Sequence, residues 1–241
     1  MKVTYIDHSG FLVEMENACF LFDYYKGQIP EIPQDKLLVV FASHKHPDHY
    51  NAEIFDLLKT HPKVYFILDK DCGVKWKIRE CEKQGINLEE RLMRVRKNKK
   101  MEILLPNETT LSLTTLRSTD IGVAFFFSYE GMNIYHAGDL NLWSWNGESE
   151  NYNQEMEKNY RNEMEKIRGR YIDVAFIPLD PRQREHAFRG MELFLEYTNC
   201  EKVFPMHFWN KFSISRKFVE KHPEYTDKIM CIEKKGQNFI L

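Results

Sequence analysis

Three histidines and one aspartate lie within six positions of one stretch, "HKHPDH" at residues 44–49. Imidazole and carboxylate groups suit Zn²⁺, Mn²⁺ or Fe²⁺. Side chains two positions apart on extended backbone point the same way, so His44 and His46 can share one ion. The turn at Pro47 lets Asp48 and His49 face a second ion. The stretch follows the apolar run "KLLVVFA", so we predict a metal site in a loop directly after a buried strand.

Two later segments carry further candidate ligands. "YHAGDL" contains Asp139 and "FPMHF" contains His207, and each lies at the end of a predicted strand. Together with the pattern HxHxDH, they resemble the metallo-β-lactamase-fold hydrolase superfamily in order and spacing. The opening "DHSG", the "HAGD" segment and the "PMH" ending are most similar to the branch that includes L-ascorbate-6-phosphate lactonase. The resemblance extends along the whole chain.

The resemblance implies a hydrolase with two divalent transition metal ions, Zn²⁺ first and Mn²⁺ or Fe²⁺ as alternatives. It implies six ligands: His44, His46, Asp48, His49, Asp139 and His207. The first two would ligate one ion, Asp139 would bridge both, and the other three would ligate the second. Two adjacent divalent ions lower the pKa of a shared water, so that metal-bound hydroxide would attack the substrate. Asp48 would also orient this nucleophile.

The shell of the first ion departs from the superfamily pattern, in which a third histidine completes it. No histidine lies between His61 and His136. The expected position falls near "RSTD", where the carboxylate of Asp120 can replace imidazole on Zn²⁺ or Mn²⁺. The alternative is that Asp120 only caps the turn before Gly122. In that case the first ion is weakly held, or the protein works with one ion.

Two more histidines have open roles. His136 precedes Asp139 by three positions and ends a strand, so it either orients a ligand through a hydrogen bond or serves the structure alone. His8 lies in a turn between two strands. In the lactonase-like branch this histidine lies near the metals, so the resemblance implies a supporting role behind the ligands.

The loop "DPRQREHAFRG" contains the candidates for substrate contact. The guanidinium groups of Arg182 and Arg184 can hold a carboxylate or phosphate in a fork geometry, which favours an anionic substrate. His186 could protonate a leaving group. The alternative is a solvated loop whose charges only keep it soluble.

These residues support three functions. The first is a hydrolase of a small anionic ester, lactone or phosphoester, and the second is a nuclease or phosphodiesterase with the same metal centre. The third, motivated by the missing histidine, is a non-catalytic metal-binding relative. The run "RLMRVRKNKK" could contact nucleic acid, but the net charge of −2 disfavours that partner. The sequence leaves the substrate and the oligomeric state open.

The elements that must position these residues predict an α+β fold. Strand-rich blocks alternate with helical patterns, and no linker or repeat divides the 241 residues. We predict one metallo-β-lactamase-like domain over residues 1–241, an αββα sandwich of two mixed β-sheets covered by helices. No apolar run approaches the roughly 20 residues of a membrane span. The N-terminus lacks signal-peptide features, and the five scattered cysteines indicate reduced thiols, so we expect a cytoplasmic protein.

Overall fold

The computed structural model describes all of residues 1–241, with thirteen β-strands, four α-helices and four 3₁₀ helices. The strands are β1 (Lys2–Asp7), β2 (Gly10–Glu14), β3 (Ala18–Phe22), β4 (Leu37–Ala42), β5 (Val64–Asp69), β6 (Leu92–Val95), β7 (Lys99–Leu104), β8 (Thr110–Arg117), β9 (Val123–Tyr129), β10 (Met132–His136), β11 (Tyr171–Pro178), β12 (Asn199–Met206) and β13 (Asn238–Ile240). The α-helices are α1 (Lys75–Lys83), α2 (Glu150–Glu165), α3 (Arg189–Tyr197) and α4 (Ser213–Lys221). The 3₁₀ helices are Ala52–Lys59, Glu89–Arg91, Pro181–His186 and Pro223–Tyr225.

The residues group into two compact units. The first comprises Met1–Arg96, Glu102–Leu111 and Lys235–Leu241, and the second comprises Lys97–Met101 and Ser112–Lys234. Each unit contains most of one β-sheet and its own candidate ligands. The single domain over residues 1–241 stays a prediction.

The sheet of the first unit has seven strands in the order β13-β1-β2-β3-β4-β5-β6. From β3 to β6 the strands run parallel. Strands β3, β4 and β5 are buried along their whole length, which is typical of parallel strands covered on both faces. Because parallel strands end at the same edge, the polar residues that follow β3, β4 and β5 are brought together there.

One face of this sheet packs against helical segments. Ile54 and Phe55 of the 3₁₀ helix Ala52–Lys59 join Cys81 of α1 in a core cluster with Val40 and Phe66. This packing holds the end of β4 in place, and it therefore supports the loop that follows β4.

The sheet of the second unit has six strands in the order β12-β11-β10-β9-β8-β7. Strands β10, β11 and β12 run parallel, whereas β8, β9 and β10 run antiparallel. The segment "FFFSYEGMNIYHAG", whose Glu-Gly pair predicts a turn, forms a hairpin between β9 and β10. Its turn residues Glu130 and Gly131 have φ of 47° and 82°, and two positive φ angles suit the twist of a two-residue hairpin.

Some predicted elements differ from the observed ones. The segment "NAEIFDLLKTH" forms a 3₁₀ helix rather than an α-helix, capped by the Asn51 side chain on the Glu53 N–H. The segment "SISRKFVEKHPEYTDK" predicts one helix, but the helix stops at Lys221 because Pro223 cannot continue it, and a separate 3₁₀ turn follows. The apolar start of "IMCIEKKG" predicts a strand, but the segment makes only an isolated bridge from Ile229 to Val203. The short end "QNFIL" instead contributes β13. None of the helices combines the length and the apolar character needed to cross a membrane.

Candidate metal centre

The loop after β4 brings three histidines close together. His44 and His49 are fully buried. The ring of His44 lies 4.6 Å from that of His46 and 4.2 Å from that of His49, measured between centroids. The ligand nitrogens of His44 and His46 lie within 4.8 Å of each other. This spacing is compatible with two imidazoles on one ion.

Asp23, which the sequence did not single out, fixes the loop after β4 through hydrogen bonds. Its Oδ2 lies 2.8 Å from His49 Nδ1 and accepts a 2.6 Å hydrogen bond from Ser43 Oγ. Its Oδ1 accepts the Ser43 N–H at 2.7 Å, and Ser43 Oγ lies 2.9 Å from His44 Nδ1. The buried carboxylate therefore fixes Nδ1 of His49 directly and Nδ1 of His44 through Ser43, which leaves the two Nε2 atoms available for a metal. The sequence shows Asp23 only as the residue that follows an apolar run, and the parallel pairing of β3 with β4 is what brings it beside this loop.

His8 and Asp48 form a second donor group with His49. His8 Nε2 lies 3.4 Å from Asp48 Oδ2, and the ligand atoms of all three residues lie within 4.8 Å of one another. Burial by itself raises the pKa of Asp48, but the hydrogen bond from His8 and the nearby His49 and His8 rings together hold it well below its usual value. His8 has a left-handed φ of 52°. The expected supporting role of His8 stays a prediction, since its ring nitrogen is itself close enough to share an ion with Asp48.

In the second unit, Asp139 and His207 lie together. His207 Nε2 is 3.4 Å from Asp139 Oδ1, and both side chains are almost fully buried. Trp143 donates its indole N–H to the Asp139 carbonyl at 2.9 Å, and its ring lies 5.3 Å from the His207 ring. His207 has a φ of 64°, a strained conformation of the kind that concentrates at functional sites.

Asp180 holds His207 as Asp23 holds His49. Its Oδ2 lies 2.9 Å from His207 Nδ1 and accepts the Trp209 indole N–H at 3.3 Å. Arg182 donates hydrogen bonds of 2.5 to 3.0 Å to both carboxylate oxygens of Asp180. Its guanidinium also lies 4.7 Å above the centre of the Trp209 ring. Burial raises the pKa of Asp180, but hydrogen bonds from His207 and Arg182 reverse this and leave it below its usual value.

The two Arg candidates therefore lie in different settings. The guanidinium of Arg182 is engaged with Asp180, although half of its side chain is exposed. Arg184 is exposed and has a left-handed φ of 53°. Their predicted contact with an anionic substrate stays a prediction.

Asp120 lies in the turn after β8. It is exposed, and its N–H donates to Ser118 Oγ at 3.1 Å. The neighbouring Thr119 ties this turn to the segment that follows Asp139. Its Oγ1 donates to the Asn141 carbonyl at 2.5 Å and accepts the Asn141 N–H at 3.0 Å. The turn is thus held beside the predicted bridging residue, and ligation by Asp120 stays a prediction.

His136 and His186 lie in different surroundings. His136 is fully buried, its Nδ1 accepts the Gly138 N–H at 3.2 Å, and its ring lies 5.6 Å from that of Phe176. The hydrogen bond from Gly138 to His136 helps fix the turn that precedes Asp139. His186 is half-buried and borders a cavity of about 370 Å³ whose wall includes Trp145. The Trp145 ring stacks on that of Trp143 at 6.0 Å.

The chemistry of these donors fits divalent transition metals. His44, His49 and His207 are buried, and each has Nδ1 next to a carboxylate or hydroxyl oxygen. Such contacts fix the ring and direct Nε2 at an ion. Histidines that serve only core packing do not need their Nδ1 atoms fixed in this way, whereas three histidines here share the arrangement. Imidazole with carboxylate suits Zn²⁺, Mn²⁺ or Fe²⁺.

Two mixed sheets flanked by helices, with candidate histidine and aspartate ligands at strand ends, define a protein of the metallo-β-lactamase fold, as predicted. The family described as the beta-lactamase superfamily domain matches residues 2–144, more than half of the chain. The chain belongs to this family. A search of curated proteins finds no match.

Solved structures share the fold at low sequence identity. Igni18, a metallo hydrolase from the archaeon Ignicoccus hospitalis, is 19% identical with a TM-score of 0.63, covering 100% of this chain and 98% of its own. The diiron β-hydroxylase CmlA from Streptomyces venezuelae is 12% identical with a TM-score of 0.62, covering 100% and 54%. The short form of human tRNase Z is 12% identical with a TM-score of 0.56, covering 100% and 99%.

Proposed function

We propose that this protein is a metal-dependent hydrolase that acts on a small anionic ester, lactone or phosphoester. The main support is a set of three buried histidines: His49, His44 and His207. Their Nδ1 atoms contact Asp23, Ser43 and Asp180, respectively. Membership of the beta-lactamase superfamily domain family supports the same conclusion.

The proposed ligands follow the superfamily pattern. His44 and His46 would hold the first ion, with Asp120 as the additional ligand. Asp48, His49 and His207 would hold the second, and Asp139 would contribute its carboxylate to both. Bound divalent ions lower the pKa of water and stabilise negative charge that develops on a substrate. Zn²⁺ is the proposed metal because imidazole and carboxylate ligands suit it, and Mn²⁺ and Fe²⁺ remain the alternatives to compare.

The chain's own residues supply orientation and proton transfer. The Asp48 carboxylate, whose Oδ2 lies 3.4 Å from His8 Nε2, aligns the attacking water. His186, half-buried at the rim of its cavity, donates a proton to the leaving group. Arg184, exposed in the same loop, binds the anionic part of the substrate, and Arg182 contributes through its exposed half.

A cytoplasmic location completes the proposal. All five cysteines are free thiols, and four of them are buried. Reduced cysteines are typical of proteins in a reducing compartment.

Metal content and turnover test this function. Protein reconstituted with Zn²⁺ should retain between one and two equivalents after desalting, measured by plasma emission spectroscopy. The double variant His46→Ala, Asp139→Ala should retain almost none, because it removes one ligand of the first ion and the bridge. His222→Ala is the matched control, since that histidine pairs with Glu192, belongs to neither group of candidate ligands and should leave metal content unchanged. Absence of metal in the reconstituted parent protein would contradict the proposal.

Turnover should then be measured on chromogenic esters, lactones, phosphodiesters and an oligonucleotide, with Zn²⁺, Mn²⁺ or Fe²⁺. Hydrolysis of a small substrate that depends on the metal and is lost in the double variant supports the hydrolase. Cleavage of the oligonucleotide alone would favour the nuclease, and metal binding without any turnover would favour the non-catalytic relative.

A further inference from the structure

A cationic cavity lies at the carboxyl ends of β5 and β6 in the first unit. Its volume is about 480 Å³, and it is lined by Lys70, Asp71, Arg94 and Arg96. Three cations face one carboxylate, so the lining carries a net positive charge at neutral pH. Asp71 is 3.1 Å from the ammonium of Lys70, so part of the charge of the lining is balanced within the cavity itself.

The strand register places this cavity on the edge that carries the metal-binding loop. Ala42 of β4 pairs with Leu68 of β5, and Leu68 pairs with Arg94 of β6, so the three form one row across the sheet. Two positions beyond each of these residues, along parallel strands, are His44, Lys70 and Arg96. The Lys70 N–H donates to the Val95 carbonyl at 2.9 Å, so the pairing of β5 with β6 continues to this edge of the sheet.

The distance between β4 and β6 determines how long a ligand must be to contact both the arginines and the metal-binding loop. One strand, β5, separates β4 from β6. With strand spacings of about 4.8 Å, the arginines stand roughly 10 Å from the strand that delivers His44. A simple phosphate monoester is too short for this span. A larger molecule with a phosphate remote from the reacting bond would reach both places.

The chemistry of the lining selects the kind of ligand. Planar guanidinium groups match the geometry of phosphate oxygens with paired hydrogen bonds. A volume of about 480 Å³ falls within the roughly 300–1,000 Å³ typical of small-molecule sites. Arg94 is exposed and lies on the edge strand of the sheet, so its guanidinium is accessible to such a ligand.

We propose that Arg94 and Arg96, with Lys70, form a subsite for a substrate phosphate group about two strand spacings from the hydrolysed bond. The proposal rests on the proposed function and narrows its substrate class to phosphate-bearing molecules. The shared chemistry is phosphate, whether it belongs to a small molecule or to a nucleic-acid backbone.

The test compares Zn²⁺-loaded parent protein with the variant Arg94→Gln, Arg96→Gln. The probes are pyrophosphate, measured by calorimetry, and a short fluorescent single-stranded oligonucleotide, measured by anisotropy. The cavity variant should bind at least one probe about tenfold more weakly or worse, because two charge-assisted contacts are lost. Lys75→Gln, Arg79→Gln is the matched control, since it removes two exposed cations of α1 that do not line the cavity.

The outcomes separate the two sources of phosphate and the two proposals. Weaker pyrophosphate binding supports a small phosphorylated substrate, and weaker oligonucleotide binding alone supports a nucleic-acid backbone. Equal affinity in all three proteins, or no binding by the parent protein, overturns the subsite. Hydrolysis of the uncharged ester 4-nitrophenyl acetate should be the same in all three proteins. That reaction tests the hydrolase proposal separately, because an uncharged ester makes no use of the arginines.

Discussion

At the scale of single residues, two aspartates behind the predicted ligands organise the candidate site. Asp23 contacts His49 and Ser43 in the first unit, and Asp180 contacts His207, Trp209 and Arg182 in the second. Both carboxylates are completely buried. A buried carboxylate needs compensating partners, and here the partners include the imidazoles whose Nε2 atoms are the proposed metal ligands. The geometry of the ligands thus depends on residues that would not themselves touch the ion.

Replacing Asp180 tests this role. Asp180→Asn keeps the size of the side chain but removes the charge that orients His207 and pairs with Arg182. We expect metal affinity to fall about 10- to 100-fold, as is common when the partner of a ligating histidine is lost. Competition with a chromophoric chelator measures this change. Asp227→Asn, an exposed position in the same unit, should leave affinity unaltered, and an equal loss in both variants would refute the assignment.

At the scale of elements, the ends of parallel strands bring the donors together. Asp23 follows β3, the loop of His44 follows β4, and Lys70 follows β5. In the second unit Asp180 follows β11 and His207 follows β12, which pair in parallel along their length. Chain direction therefore gathers residues that are far apart in sequence at one edge of each sheet.

The start of α3 supports the segment after Asp139 by close packing. An added Cβ on Gly190 would lie 1.9 Å from Asn141 Oδ1 and 3.3 Å from the Leu142 nitrogen. Asn141 also donates its side-chain amide to Gln183 at 3.0 Å, so it has little freedom to move away. Helix α3 thus requires glycine for space at this position, although glycine is a poor helix former.

Gly190→Ala should therefore destabilise the protein, by about 1–3 kcal/mol, because overpacking displaces Asn141. Alanine in a helix is otherwise more favourable than glycine, so propensity predicts the opposite sign. Chemical denaturation monitored by circular dichroism measures the free energy of unfolding. Gly147→Ala, where an added Cβ meets nothing within 4 Å, should change it little. A stabilised Gly190→Ala variant would show that the contact is not restrictive.

At the scale of the whole molecule, burial governs the reactivity of the thiols. Cys19, Cys72, Cys81 and Cys200 are buried, and only Cys231 is partly exposed. Burial raises the pKa of Cys19 to about 11 and that of Cys200 to about 12. Since the thiolate is the reactive form, both remain protonated at neutral pH.

Labelling of the native protein with a maleimide near pH 7.5 should modify Cys231 first. Cys19 and Cys200 should react more slowly, and raising the pH toward their pKa values should accelerate them because the thiolate fraction grows. Mass spectrometry of timed samples follows each site. In denaturant all five should react at similar rates, and rapid labelling of Cys200 in the native protein at neutral pH would contradict the buried environment.

The sequence by itself determined the fold class and the position of the first motif. The apolar run of β4 and the dense histidines after it are local features, and the residues that resemble the superfamily are carried by short segments such as "HAGD" and "PMH". Local patterns suffice here because strand burial and ligand type depend on neighbouring residues. They failed for "IMCIEKKG", where pairing with a distant strand decides whether an apolar segment becomes a strand.

Only the tertiary structure decided which residues support those ligands. Arg182 resembled a substrate contact, but its guanidinium is engaged by Asp180, two positions earlier, which also holds His207. The spacing of Asp23 and His49 in the chain gives no sign of their 2.8 Å contact. The physical reason is that hydrogen bonds between strand ends depend on sheet order and register. Both are fixed by long-range packing and leave no periodic trace in the sequence.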